Sequence, residues 1–80
     1  MPDGLTYTAE KTERAFGDDA KNLVTTYTFS DGKVWTTVSE WSKNRSGQWR
    51  SGRLSVWRGD KKSTYPALER ALKGAAEVRL

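Results

Sequence analysis

The chain has no cysteine and no histidine. Without thiols there is neither a disulfide staple nor a thiolate metal site, and without imidazole the commonest general base and the usual transition-metal ligand are missing. Acid–base chemistry would fall to carboxylates, lysines and tyrosines. Asp18-Asp19 and the pair Glu10 and Glu13 are close in sequence, but neighbouring carboxylates on a loop are usually just solvated. Tyr65, Arg50 and Arg53 offer the groups of a metal-free nuclease without a visible positioning constellation. "GRLSVWRGDKKS" lacks the spacing of a Walker phosphate loop, and "RGD" at 58–60 is a three-letter coincidence. The expectation is a protein that is not an enzyme and takes no cofactor and no metal.

Long apolar runs are also missing. No stretch approaches the ~18 residues of a membrane span, and the start "MPDGLTYTAE" lacks the basic and apolar regions of a signal peptide. A chain with no membrane association and a cytoplasmic location is expected. Its 80 residues form one small domain, 1–80, and a chain this short buries only a little over ~60% of its unfolded surface. Stability must then come from a sheet, a helix or self-association.

Charge is distributed unevenly. Residues 1–41 carry a net −3, residues 42–62 a net +6 and residues 63–80 a net +1, within a total of +4. The basic run, "SKNRSGQWRSGRLSVWRGDKK", together with the tryptophan just before it, holds three of the four tryptophans. Such a stripe is the electrostatic footprint of a phosphate backbone or of an acidic protein partner, although a solvated hairpin would look similar.

"LVTTYTFSDGKVWTTVSEWS" carries the clearest local pattern: two β-branched and aromatic runs flank Asp31-Gly32, a dipeptide favoured in two-residue hairpin turns. Strands are expected at about 23–30 and 33–42, with Phe29 across from Val34, Tyr27 from Thr36 and Thr28 from Trp35. "QWRSGRLSVWR" predicts a third strand with Gly52 as a bulge or second turn, and "LTYTAEKTERAF" a fourth at one edge. In "STYPALERALKGAAEVRL", Ser63 or Thr64 caps a helix over about 65–76, with Pro66 in its first turn and Leu68, Ala71, Leu72 and Ala75 on one side. "EVRL" is a frayed end or a short extra strand. The fold class is α+β: an antiparallel sheet of three to four strands with one C-terminal amphipathic helix packed on one face.

One helix covers one face. Period-two counting sets Val34 and Val38 opposite Trp35 and Trp41, and Leu54 and Val56 opposite Trp49, Arg53 and Trp57. If the helix covers the aliphatic face with Phe29 and Tyr27, the indoles form an open stacking platform rimmed by cations, a surface suited to single-stranded nucleic acid. If the indoles are core instead, the valine and threonine face is left open for a second copy or another protein. Trp35, in mid-strand, is expected to be the more structural indole and Trp49, beside the basic loop, the more functional one.

A strand with "GQWR", a turn with "SGR", another strand and a helix with "ALERAL" resembles, in order and over about half the chain, the three-stranded-sheet-plus-helix DNA-binding domains of plant ethylene-response factors and the arm-binding domains of phage integrases. Their glycine-containing strand-to-helix signature is missing, so no base-contacting residue carries over. In size and lack of catalytic residues the chain is also similar to small phage inhibitors of bacterial defences, anti-CRISPR proteins included. Two functions follow. One is a nucleic-acid-binding protein that uses Trp41, Lys43, Arg45, Trp49, Arg50, Arg53, Trp57, Arg58, Lys61 and Lys62. The other is an inhibitor or adaptor that docks the same surface on a nucleic-acid-handling protein complex. A homodimer through edge pairing or face packing fits either.

Overall fold

The computed structural model describes residues 4–79; the start of "MPDGL" and Leu80 lie outside the described residues. The chain runs β1 (Leu5–Ala15), β2 (Ala20–Phe29), β3 (Val34–Lys43), β4 (Trp49–Arg58), β5 (Lys61–Ser63), α1 (Tyr65–Lys73) and β6 (Ala75–Glu77). They form a single sheet in the order β5-β4-β3-β2-β1-β6. Every neighbouring pair is antiparallel except β1 with β6, which is parallel.

A sheet-rich α+β architecture with one short helix is thus present, but the sheet has six strands rather than three to four. The two additional strands, "KKS" and "AAE", have three residues each. The short extra strand expected at "EVRL" is present two residues earlier, whereas "KKS" is too short for alternation to betray it; the two exist because β4 and β1 offer them an edge. The helix is not the last element either. It stops at Lys73, where the Gly74 N–H donates to Arg70 O at 3.2 Å. Ala75–Glu77 then pairs with Leu5–Tyr7, and the Val78 N–H reaches Tyr7 O at 2.8 Å. The likeness to the ethylene-response and integrase domains does not survive, because "SGR" lies inside β4 and makes no turn between two strands.

The β2–β3 hairpin differs from its expected register by one residue. Gly32 N–H donates to Phe29 O at 2.9 Å and Phe29 N–H to Lys33 O at 2.9 Å, so the loop is the three residues Ser30-Asp31-Gly32. Gly32 takes φ +90°, the left-handed position that closes a three-residue hairpin loop, while Asp31 Oδ1 accepts the Lys33 N–H at 3.1 Å. Thr28 therefore faces Val34 and Tyr27 faces Trp35. Because side chains alternate with period two, this slip moves Trp35 onto the face of Tyr27 and Phe29.

That face carries the core. Phe29, Trp35, Val56 and Leu68 are 0–6% exposed, with Tyr7, Tyr27, Ala67, Ala71, Leu72 and Ala75 packed around them. The Tyr7 ring meets Tyr27 edge-on at 6.0 Å and Phe29 at 5.4 Å, and the Arg58 guanidinium lies 5.9 Å over the Trp35 ring. The helix is set in place by Thr64, whose hydroxyl accepts the Ala67 N–H at 3.4 Å, and by Pro66 in the first turn. Leu68 is its one fully buried side chain. Nine helical residues at ~1.5 Å each span ~14 Å, while a ten-residue strand spans ~34 Å. The helix therefore roofs only one end of one face.

Two outcomes test this arrangement. Replacing Gly32 with valine should destabilise the protein by more than ~1 kcal/mol in denaturant titration, since a β-branched side chain is strained at positive φ. Burial first, and then the negative charge that Tyr65, Tyr7 and Glu77 can carry, raise the Tyr27 hydroxyl above its ordinary pKa of 10.0. The unfolded chain then loses this proton at lower pH than the folded one, so the Tyr27 contribution is intact below pH 10.0 and is lost as pH rises toward the folded value. Thermal melts of Tyr27→Phe should show a shallower alkaline decline than wild type.

Candidate functional site

Beyond the reach of the helix the same face is open, and its side chains are fixed by pairing. Lys21, Trp41 and Ser51 lie in one row across β2, β3 and β4, Leu23, Ser39 and Leu54 in the next, and Lys43 faces Trp49 at the far end. Between the Ser39/Leu54 and Trp41/Ser51 pairs β4 spends one residue more than β3. The extra residue is a bulge at Gly52-Arg53. A Cβ on Gly52 would meet Glu40 O at 3.5 Å, an ordinary contact, so the bulge follows from the residue count and not from the missing side chain.

Its consequence is a reversal of parity. Uninterrupted alternation would put Trp49 opposite Leu54 and Val56; with the bulge, Trp49 joins them and shares a face with Trp41 and Trp35. The expected segregation of indoles from aliphatics is thereby corrected. Trp35 is core, Trp41 and Trp49 are half-buried on the open end, and Trp57 is 36% exposed on the back face.

The cations named from sequence divide in the same way. Lys43 is on the open end of the helix-bearing face, Arg45 sits in the 44–48 loop, and Arg50 pairs with Ser42 on the back face. Arg53 is in the bulge; Lys61 pairs with Arg58 and Lys62 with Trp57, its ammonium 5.1 Å from that ring. All seven cations, Arg58 included, are exposed. They line the β4 edge and wrap around it rather than share one plane. The 44–48 loop repeats the geometry of the 30–32 loop: Gly47 has φ +79°, its N–H donates to Asn44 O at 3.0 Å, and Asn44 Oδ1 accepts from Ser46 and Gln48.

Sequence reasoning missed the contribution of β1 and β2. The Lys21 ammonium lies 4.3 Å from the Trp49 ring centroid, Lys43 lies 5.3 Å from it, and Lys21 is also 3.0 Å from the Glu13 carboxylate. Beside them a groove of about 310 Å³ runs between Lys11, Glu13, Leu23, Thr25, Ser39 and Trp41. The Trp41 indole Nε1–H is buried with no acceptor among the described residues. Only the register across three strands brings Lys21 to Trp49, and no local signal in "DDAKNLV" announces it. The arrangement supplies two adjacent indoles and three ammonium groups against one carboxylate.

No protein-family model, curated protein or solved structure matches the chain. Among the described residues no helix is long and apolar enough to cross a membrane.

The bulge can be tested directly. Deleting Arg53 leaves Gly52 alone opposite Glu40 and keeps the Ser39/Leu54 and Trp41/Ser51 pairs, so the free end of β4 should hold its present face. The nuclear Overhauser contacts between the Trp49 ring and the Lys21 and Lys43 side chains should then persist in the deletion variant; their loss would mean that β4 carries no extra residue there.

Proposed function

We propose that the protein binds single-stranded nucleic acid on the open end of its helix-bearing face, with the basic β4 edge holding the phosphates. The observation that carries this reading is the placement of Trp41 and Trp49 side by side on an uncovered sheet surface with Lys21 and Lys43 against the outer indole. The two indoles are diagonal neighbours, a separation of ~7–8 Å in an antiparallel pair, against a rise of ~3.4 Å per stacked base in a duplex. Bases that meet successive indoles at that spacing must be unstacked from one another, which a single strand permits and a duplex does not. Lys11, Lys43, Arg45 and Arg53 then lie along the path for backbone contacts. Thr25 and Ser39 add hydroxyls to the groove without adding charge. The reading has no catalytic step.

The test is a salt titration of binding to single- and double-stranded oligonucleotides of the same sequence. Single strands should bind more tightly, with log affinity falling linearly against log salt. Trp49→Ala should cost ~1–3 kcal/mol of binding with little change in melting, as expected for a stacking side chain. Trp35→Ala, by contrast, should cost ~3–5 kcal/mol of stability and unfold much of the protein. Lys43→Glu should weaken binding and flatten the salt slope. Absence of binding to either oligonucleotide at low salt overturns the proposal and favours a protein partner for this surface.

A further inference from the structure

The chain is too flat for its mass. Its accessible surface is 5990 Å² at 9.0 kDa, whereas the scaling for compact monomers gives ~4,850 Å². The Cα radius of gyration is 14.8 Å against ~11.6 Å for a compact domain of this length. The excess of ~1,100 Å² exceeds the ~800 Å² that each partner contributes to a standard-size interface. Only part of it belongs to the open end described above, because no described element covers the opposite face of the sheet.

That back face has a definite composition. Strand pairing places Thr28 with Val34, Thr26 with Thr36 and Val24 with Val38, and the next column adds Trp57 beside Thr36 and Ser55 beside Val38. Its centre is uncharged and β-branched. Glu10, Arg14, Glu40, Arg50 and Lys62 stand around it, at the rim. A neutral, partly apolar centre within a charged rim is the anatomy of a protein–protein interface.

We propose that a second copy of this chain packs on the back face, sheet against sheet, around Thr26, Thr36, Val24 and Val38. The net charge of +4 makes two copies repel wherever basic surfaces approach, and it makes contact through the β4 edge costly. The centre of the back face is where two copies can meet without opposing like charges, as a two-fold contact of one surface with itself requires. A phosphate backbone finds no cation at that centre, and a strongly charged protein finds no counter-charge. Flat β-branched faces pack at a sheet separation of ~10 Å, which buries Trp57 at the margin.

This inference stands apart from nucleic-acid binding, and salt separates the two. Added salt screens the repulsion between copies and should strengthen self-association, while it weakens any hold on phosphate. Sedimentation equilibrium of the free protein should give about twice the 9.0 kDa chain mass, the dimer fraction rising with salt. Thr36→Lys puts two ammonium groups face to face across the two-fold contact and should weaken association at least ~10-fold. A single-chain mass for wild type up to ~1 mM would overturn the proposal, since that concentration still populates very weak complexes. A dimer that persists undiminished in Thr36→Lys would overturn the choice of face. Should Thr36→Lys fail to fold, thiol labelling decides in an otherwise cysteine-free chain. Maleimide modification of Thr36→Cys should slow as protein concentration rises while Ser46→Cys, in the 44–48 loop, keeps its rate; equal rates would reject the interface.

Discussion

A nine-residue helix cannot cover a sheet whose four central strands are ten or eleven residues long. Everything else in the molecule follows from that mismatch. Leu68 enters the one place where the sheet offers a ring of large side chains, Tyr7, Tyr27, Phe29, Trp35 and Val56, and around it the only fully dry core of the described residues forms. Alanines at 67 and 71 let the helix approach the sheet closely, and the bulky aromatic side chains fill the space from the sheet side, so large packs against small at interior density. Past the last turn of the helix no described element roofs the strands, and pairing is supplemented there by the Lys21 and Lys43 contacts with Trp49 and by the Lys21–Glu13 ion pair.

Single residues decide which face each strand shows. The expected hairpin between β2 and β3 is present, yet Asp31-Gly32 is the end of a three-residue loop and not a two-residue turn. Both loop types use a glycine at positive φ, so the dipeptide announces the hairpin but leaves its parity open. Ser30 settles it, by adding one residue before the left-handed position, and Trp35 moves to the core as a result. The Gly52-Arg53 bulge acts in the same way on Trp49. Alternation within an uninterrupted run was legible: Val34 and Val38 do oppose Trp35 and Trp41, and Leu54 does share its side with Val56. What could not be read was the phase between runs, because a local pattern has period two and an inserted residue inverts it without leaving a compositional trace. The pairing of Lys21 with Trp41 and the docking of Ala75–Glu77 on Leu5–Tyr7 depend on contacts between distant segments. The cap at Thr64 and the helix start, by contrast, are local and appear where the sequence put them.

The tryptophans show how one residue type serves three environments. Trp35 is enclosed by Tyr27, the helix and the Arg58 guanidinium, where its area contributes to stability. Trp41 and Trp49 are half-buried, and Lys21 and Lys43 lie over the Trp49 ring. Trp41 Nε1 is a buried donor without an acceptor among the described residues, at a cost of ~1–3 kcal/mol. Trp57 lies on the back face beside an uncharged surface. The basic composition of residues 42–62 therefore describes an edge, and its two sides need not do the same work.

The edges themselves explain why faces are left for association. β6 covers the outer side of β1 at Leu5–Tyr7, and the rest of that strand carries Glu10, Lys11, Glu13 and Arg14; β5 covers β4 at Val56–Arg58, and the rest carries Arg50, the bulge and Arg53. Charges and a bulge along an open edge oppose the addition of another strand. An extended ladder between copies is disfavoured at both ends of the sheet, and what remains uncovered is the back face. In a back-to-back pair the two helix-bearing faces would point away from each other, each with its own indoles. The basic residues that wrap the β4 edge, Arg45 in its loop, Arg53 in the bulge and Arg50 at the rim, would then lie between one open face and the other. A polyanion longer than one groove would meet positive charge along that passage, and the second contact would form at a raised local concentration set by the first.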